Sequence, residues 1–480
     1  MNRKIIINAM GTILIVESAL MLLPAITAAV YGEKCIWAFL ITIVAACILG
    51  AACKLVKPKN TVIYAKEGFV IVALTWIILS VVGAVPFVLS KAIPNFVDAF
   101  FETVSGFTTT GASVVGNVEA LPHGILFWRS FTHWVGGMGI LVFVMAVLPN
   151  VSDRPMHILR AEMPGPIIGK LLPKARDTAK ILYLIYVVMT AIEVVFLLCG
   201  GMTLFESLLH AFGTAGTGGF GIKSDSLGSY SPYLQWVITV FMLLFAINFN
   251  LYYLLLIRRF RAVTKSGELW FFLAIVGISV AAVTGNIYSV YGNLSDSLRH
   301  SSFQVASIIS TTGYSTANFD LWPTFSKTIL LVLMFIGGCA GSTAGGIKVS
   351  RILLMFKIAG KEIRHLLHPR AVNAVRLEGK PVDNATVKSV SSYFLIYFIC
   401  FFAVFILLGL EPLSIETNFS AAVSCFNNVG PGLAAVGPME SYGIYSAFSK
   451  VLLSFAMLFG RLEIFPMIIL FAPSTWKRNK

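Results

Sequence analysis

The sequence predicts an all-α polytopic membrane protein: four copies of a helix–re-entrant helix–helix unit disposed around one axis, preceded by two extra N-terminal transmembrane helices. Three observations carry that prediction. Of 480 residues, 57% are apolar and 12% charged, whereas soluble domains are roughly 45–50% apolar and 25% charged. The charged residues leave roughly ten apolar runs of about 20 residues, each long enough to cross a hydrocarbon layer about 30 Å thick. A short apolar segment ending in a small polar tetrapeptide with a terminal Gly recurs four times.

The first run begins at Ile5 and continues through Glu17 and Pro24 to Val30 without a small-residue cleavage pattern, which reads as a retained helix. A second runs from about Ile36 to Leu55, and the two form an N-terminal region, 1–60, outside the repeat. The first repeat then covers 61–152, an internal connection 153–180, the second repeat 181–262 and the third 263–360, with an intramembrane loop. A second internal connection, 361–388, leads to the fourth repeat, 389–480. Orientation follows from the bases: with the N-terminus inside, the inner segments hold 28 of 36 Lys and Arg, seven lie outside, and Arg461 falls within a span. Both termini are therefore cytoplasmic, and the +14 formal charge is topological and no sign of nucleic acid. The outer segments hold 11 acids against seven bases, which either concentrates cations at an outer mouth or reflects freedom from the cytoplasmic bias. Seven scattered cysteines show no disulfide or zinc spacing.

The recurring tetrapeptides are Thr108-Thr109-Thr110-Gly111, Ala215-Gly216-Thr217-Gly218, Ser310-Thr311-Thr312-Gly313 and Asn427-Asn428-Val429-Gly430. Each follows a segment too short to cross and lies on the outer side of the map. Non-helical backbone at membrane depth costs several kcal/mol per unpaired group unless protein, water or an ion satisfies it. Four loops around one axis with carbonyls turned inward would take a dehydrated monovalent cation as the missing partner, as potassium-channel filters do. Glycine tolerates the left-handed dihedrals that let carbonyls point alike, and Thr hydroxyls either add oxygen ligands or pin the loop. No acid lies in the four tetrapeptides, which suits K⁺ better than a small divalent ion. The expected ion-binding residues are Thr109, Thr110, Gly111, Gly216, Thr217, Gly218, Thr311, Thr312, Gly313, Asn428, Val429 and Gly430.

After the third loop, the span that starts near Ser326 is broken by Gly337, Gly338, Gly341, Gly345 and Gly346, five glycines in ten residues, each weakening a helix by about 1 kcal/mol relative to Ala. The residues alone leave two readings of this segment, a gate below the filter or a packing kink. Arg461 lies in the apolar stretch Val451–Phe471, where a charge costs at least about 2.5–3.5 kcal/mol unless it finds water or a partner. It either forms a static salt bridge with Glu463 or Glu193, or places a fixed positive charge in the ion path.

Several tempting motifs carry no chemistry. Gly216-Thr217-Gly218-Gly219-Phe220-Gly221 fits G-x-G-x-x-G but follows no soluble strand, and Gly341–Lys348 misses a P-loop because Ile347 separates Gly346 from Lys348. His365 and His368 lack the further ligands of a metal site. No triad or paired-carboxylate arrangement supports an enzyme. Within transport, the residues leave open a channel-like K⁺ path or a K⁺ symporter coupled to H⁺ or Na⁺, with Glu17 and Glu193 as the intramembrane carboxylate candidates.

The stretches SGFTTTGAS from Ser105, HWVGGMGI from His133, GTGGFG from Gly216, STTGYST from Ser310, GGCAGSTAGGIKVSR from Gly337, FNNVGPGL from Phe426 and GRLEIF from Gly460 resemble the Trk/Ktr/HKT superfamily of potassium transporters, and its TrkH subfamily most closely. The resemblance covers essentially the whole chain. It implies a pseudo-fourfold pore within one subunit, K⁺ held by backbone carbonyls of the four loops, and the glycine-rich loop as a gate met by Arg461. It further implies a homodimer in a bacterial inner membrane, served by a peripheral cytosolic TrkA-type subunit that binds nucleotides. The chain itself then holds no cofactor beyond K⁺. A base-rich internal segment, Lys348–Lys388, with Arg364, His365, His368, Arg370 and Arg376, is either a dock for an acidic or nucleotide-binding partner or ordinary positive-inside charge in contact with anionic lipid.

Overall fold

The computed structural model describes residues 2–58, 64–139, 175–370, 374–377 and 380–476. Most of the expected connection 153–180, the second part of the first repeat beyond Gly139 and the C-terminal tail from 477 lie outside the described residues. Among the described residues, apart from an antiparallel strand pair, Arg376–Leu377 with Lys380–Pro381, the regular elements are helices.

The N-terminal run forms two helices, Arg3–Leu20 and Leu22–Val30, that together make one span, followed by Ile36–Leu55. Glycine lets their backbones meet. A Cβ on Gly11 would lie 2.7 Å from Gly50 O, and one on Gly50 would lie 3.0 Å from Gly11 O, the close approach that small residues give membrane helices.

Four units follow. Their outer helices, Ala65–Leu89, Ala175–Cys199, Gly267–Tyr291 and Asn384–Leu408, are each 25 residues long, or about 37 Å at 1.5 Å per residue. Each leads to a short helix: Phe96–Phe107, Leu204–Gly216, Leu294–Ile309 and Ile415–Asn427. The short helices have 12, 13, 16 and 13 residues, too few to cross.

The return helices differ from expectation. The sequence suggests a full span in each unit, broken only in the third, but all four stop early: His123–Gly137, Pro232–Ala246, Thr324–Ile336 and Ala447–Arg461. At 13–15 residues they reach about 20–23 Å. Left-handed residues mark three of the breaks: Gly139 (φ 78°), Gly337 (φ 72°), and Glu463 and Ile464 (φ 55° and 68°). At the second break, Pro232–Ala246 turns by 91° into Phe249–Leu256, where Asn248 caps the new helix by accepting from Asn250 N (3.0 Å). In the third unit the chain resumes as Val349–Leu367, a helix that runs straight through residue 360.

Candidate cation-binding site

All four short helices are built alike at both ends. Each N-terminus is capped by a side chain: Asn95 accepts from Val97 N, Thr203 from Glu206 N, Asn293 from Ser295 N and Ser414 from Thr417 N. Each first turn carries an acid, Asp98, Glu206, Asp296 or Glu416, the sign that favours a helix N-terminus. Glu206 closes a capping box on Thr203. Burial pushes its carboxyl up, but the Thr203 N–H and hydroxyl and the Tyr230 hydroxyl outweigh that and hold it below the usual range.

At the other end, Thr109, Thr217, Thr311 and Asn428 all adopt φ 56°. The N–H groups that follow them close back on the helix: Thr110 N to Ser105 O (2.9 Å), Gly218 N to Gly213 O (2.8 Å), Thr312 N to Ser307 O (2.8 Å) and Val429 N to Ser424 O (2.9 Å). These are Schellman ends, in which glycine usually takes the left-handed place. A β-branched residue there is a genuine outlier, so three threonines in that conformation store strain in these loops.

This geometry corrects the register of the second loop. The position equivalent to Thr109 is Thr217, so the tetrapeptide is Gly216-Thr217-Gly218-Gly219, and Gly219, not Gly218, matches Gly111. Gly218 takes the place of Thr110, Thr312 and Val429. The four terminal glycines, Gly111, Gly219, Gly313 and Gly430, have φ 82°, 75°, 84° and 104°.

Those glycines close a ring. A Cβ on Gly111 would strike Gly218 O, one on Gly219 would strike Thr312 O, one on Gly313 would strike Val429 O, and one on Gly430 would strike Thr110 O. Every one of these approaches is under 3.0 Å, which real Cβ atoms essentially never show. Each loop therefore seats its glycine on the third-position carbonyl of the next, in chain order, and the fourth returns to the first. The four short helices bring their C-termini, where the macrodipole is negative, to this ring.

The hydroxyls mostly pin the loops. Thr110 Oγ1 lies 2.8 Å from Thr108 Oγ1 and accepts from Asn428 Nδ2 (3.0 Å), which also donates to Met457 O. Thr312 Oγ1 meets Ser310 Oγ at 2.7 Å. Thr109 Oγ1 is buried without a partner. Behind the first two loops stand residues that sequence reasoning missed. Arg129 and Glu102 form a buried ion pair (2.7 Å); Glu102 also accepts from Val114 N and Ser113 Oγ, and the guanidinium lies over Phe220. His133 Nδ1 faces Gly106 O (2.8 Å) and Nε2 faces the Phe220 N–H (3.2 Å), so the neutral tautomer with its proton on Nδ1 satisfies both. The opposite charges at 102 and 129 were visible in the sequence, but only tertiary contact pairs them.

Under the ring lies the glycine-rich loop. Gly345 N donates to Thr311 Oγ1 (2.6 Å) and Gly346 N to Asn427 O (3.0 Å), tying it to the third and fourth loops. Cys339 N donates to Ala246 O (2.9 Å) and Phe249 N to Gly341 O (3.0 Å), so the freed backbone at the second break is satisfied by this loop. Its left-handed Gly337, Gly341 and Gly346 and the tight seat of Gly338 against Ala344 account for its composition. Arg461 donates to Thr343 O (2.9 Å) and to Gly136 O (2.5 Å) and Gly137 O (2.7 Å). The anticipated salt bridge of Arg461 with Glu463 or Glu193 is replaced by these carbonyls, and Glu463 pairs with Arg351 (2.5 Å). Lys348 donates to Ala344 O within the loop. Lys348 and Arg351 are buried, so they drop out of the expected internal docking face, whereas Arg364, His365, His368, Arg370 and Arg376 are exposed.

Two spaces flank the ring. Gly111, Gly219, Gly313 and Gly430 all line an outer vestibule of about 130 Å³, whose charged lining is Arg129, Lys223 and Glu440. An acidic mouth is thus not what borders the ring: Asp98 pairs with Lys450, Asp296 with Arg299 and Asp320 with Lys327. On the other side, Arg461, Lys348, Gly345 and Gly346 border a cavity of about 40 Å³. Glu17 and Glu193 are fully buried and line neither space. Among the described residues no three His, Cys, Asp or Glu gather as metal ligands.

Comparison with known proteins gives a consistent result. The profile of the TrkH family, described as cation transport protein, matches residues 36–478. The chain is 36% identical over 485 residues to the Trk system potassium uptake protein TrkH of Salmonella typhimurium, covering 99% of this chain and 100% of that one. It is 33% identical over 489 residues to the protein of the same name from Halomonas elongata, with 100% of both covered. The crystal structure of the potassium transporter TrkH from Vibrio parahaemolyticus superposes with a TM-score of 0.89 at 34% identity, covering 99% of this chain and 100% of that one.

Proposed function

The chain belongs to the TrkH family of cation transport proteins, and from that premise we propose that it takes up K⁺ through the ring formed by its four loops. The observation that supports this reading is the closed cycle of glycine-to-carbonyl seats, which runs through Thr110 O, Gly218 O, Thr312 O and Val429 O. A K⁺ ion arriving through the vestibule exchanges hydration waters for these oxygens. Four helix C-termini add a favourable potential without adding a carboxylate that would hold the ion too tightly. Thr109 Oγ1, buried and unpartnered, is a further oxygen for the path, beside the second-position residues Thr217, Thr311 and Asn428.

The glycine-rich loop is the gate of this reading, and Arg461 is its latch. Three backbone carbonyls from two units hold the guanidinium, a fixed positive charge that opposes cations below the ring. Opening requires the loop to leave Thr311, Asn427 and Arg461. The exposed bases Arg364, His365, His368, Arg370 and Arg376 offer a face to a cytosolic, nucleotide-binding regulatory subunit of the TrkA type. The protein acts as a homodimer in the bacterial inner membrane with both termini cytoplasmic. Purified protein in liposomes tests the reading: current should reverse at the K⁺ equilibrium potential and ignore a pH gradient. A reversal potential that follows the proton gradient would indicate a symporter instead.

A further inference from the structure

The third unit leaves its glycine-rich loop at Lys348, a non-glycine residue at φ 82°, and enters the helix Val349–Leu367. In the first turn of that helix, the buried Arg351 meets three segments. It donates to Ile347 O (3.2 Å) at the end of the loop and pairs with Glu463 (2.5 Å) of the fourth unit. Its guanidinium also lies over the ring of Tyr393 (4.1 Å), on the fourth unit's outer helix. Lys348 donates to Ala344 O and stays within the loop, so the ion pair to the fourth unit falls to Arg351. Glu463 stands two residues beyond Arg461, on the break where Glu463 and Ile464 both take left-handed dihedrals (φ 55° and 68°). For a β-branched residue such as Ile464 that conformation is a genuine outlier, and strain of this kind persists only where the surroundings over-determine it. Ile464 N donates to Phe459 O (2.9 Å), which holds the backbone. The side-chain anchor is Arg351: Glu463 Oε2 takes its guanidinium, whereas Oε1 is buried without a hydrogen bond.

Two fastenings of the gate loop thus sit on one break. Arg461 holds Thr343 O, inside the loop, and Glu463 holds Arg351, just beyond its end. We propose that the Arg351–Glu463 pair is the joint through which the helix Val349–Leu367 works the Arg461 latch, a reading that rests on the gate assigned above. The helix has 19 residues, about 28 Å at 1.5 Å per residue. Arg351 is in its first turn, and the exposed Arg364 and His365 are in its last. Movement of the exposed end reaches Glu463 through a buried, stacked guanidinium, whose planar fork and ring contact fix direction as well as charge. Parting the pair removes the anchor from a strained break. The dihedrals at 463 and 464 then relax, and Arg461 swings away from Thr343 O, Gly136 O and Gly137 O. Loop and latch release together, because Arg351 is continuous with the one and Glu463 with the other.

The test uses the full-length protein in liposomes with two readouts, K⁺ flux and site-resolved labelling of Cys339 by N-ethylmaleimide. Cys339 is a fully buried thiol in the gate loop, so its labelling reports release of the loop without any transport. Glu463→Gln and Arg351→Gln should each raise both readouts several-fold. Half-saturating K⁺ and the preference over Na⁺ should not change, since the ring is untouched. The two together should be no leakier than either alone, as residues acting through one contact are non-additive, and Glu463→Gln should add nothing in an Arg461→Ala background. Glu463 is the more exposed of the pair, with side chains 23% against 7% accessible, so its amide variant carries the test if Arg351→Gln does not fold. Cys339 labelling at the wild-type rate in Glu463→Gln, or effects of the two substitutions that simply add, would overturn the joint. An Arg461→Ala protein that labels no faster than wild type would overturn the gate reading and the joint with it. A joint that fails alone leaves Arg461→Ala fast and Glu463→Gln slow, so the two failures are distinct.

Discussion

Three threonines and one asparagine, all at φ 56°, hold the ring on dihedrals that cost an L-residue roughly 1–2 kcal/mol each. The glycines one step beyond the third-position carbonyls are constrained twice, by positive φ and by the oxygen of the next loop. Gly313→Ala should therefore reduce K⁺-limited growth and K⁺ flux by at least about tenfold, the effect of a barrier raised by 1.4 kcal/mol. Gly116→Ala, where a Cβ meets nothing within 4 Å, should leave both unchanged. Gly111→Ser pushes a Cβ onto Gly218 O and should admit more Na⁺ in a growth assay at low K⁺; unaltered cation preference would remove the first loop from the filter. The Thr and Gly content of the loops was legible in the sequence, but the register of the second was not. Matching glycine to glycine set Gly218 against Gly111, whereas the shared feature is the strained position before the third carbonyl, which Thr217 fills as Thr109 and Thr311 do.

The four return helices show where sequence patterns run out. Five glycines announced the break at Gly337, but at the breaks after Gly137 and Ala246 the freed carbonyls are taken by other units, Gly136 O and Gly137 O by Arg461 and Ala246 O by Cys339 N, and a one-dimensional pattern does not contain those partners. Arg461 was recognisable as a charge that needed company; its carbonyl partners in two other units were not. Arg461→Ala releases Thr343 O, Gly136 O and Gly137 O together and should raise basal K⁺ flux in liposomes. Arg461→Lys keeps the charge but cannot bridge both sides and should fall between alanine and wild type. Unchanged flux in both, at equal expression, would remove the loop from gating. The Glu102–Arg129 pair staples the first short helix to its return helix. Arg129→Met leaves the buried Glu102 carboxylate without its counter-charge and should lower unfolding stability by about 3–5 kcal/mol; a thermal melt in detergent reads it, and pairing with Glu102→Leu should recover part of the loss. Thr203→Ala should cost about 1 kcal/mol. Because Glu206 is held below the usual carboxylate range, its share of that cap is complete above the unfolded value and is lost as pH falls through the folded one.

Composition, basic asymmetry and a repeated short segment were enough to read a multi-pass helical membrane protein with four like units, since those properties follow from the bilayer itself. What they left out is how the units meet: glycine on carbonyl around the ring, the third unit's loop on the second unit's break, and Arg461 across the first. Such contacts join residues hundreds of positions apart, as between Gly430 and Thr110. In the proposed function they are also what joins the four units into a single ion path. The most direct measurement is the density on the axis in protein prepared with Rb⁺ or Tl⁺ as a heavy substitute for K⁺. Anomalous signal should appear within coordination distance of Thr110 O, Gly218 O, Thr312 O and Val429 O, and decline when K⁺ is added in excess. An empty axis at saturating Rb⁺, or ions held only at side-chain carboxylates elsewhere, would contradict it.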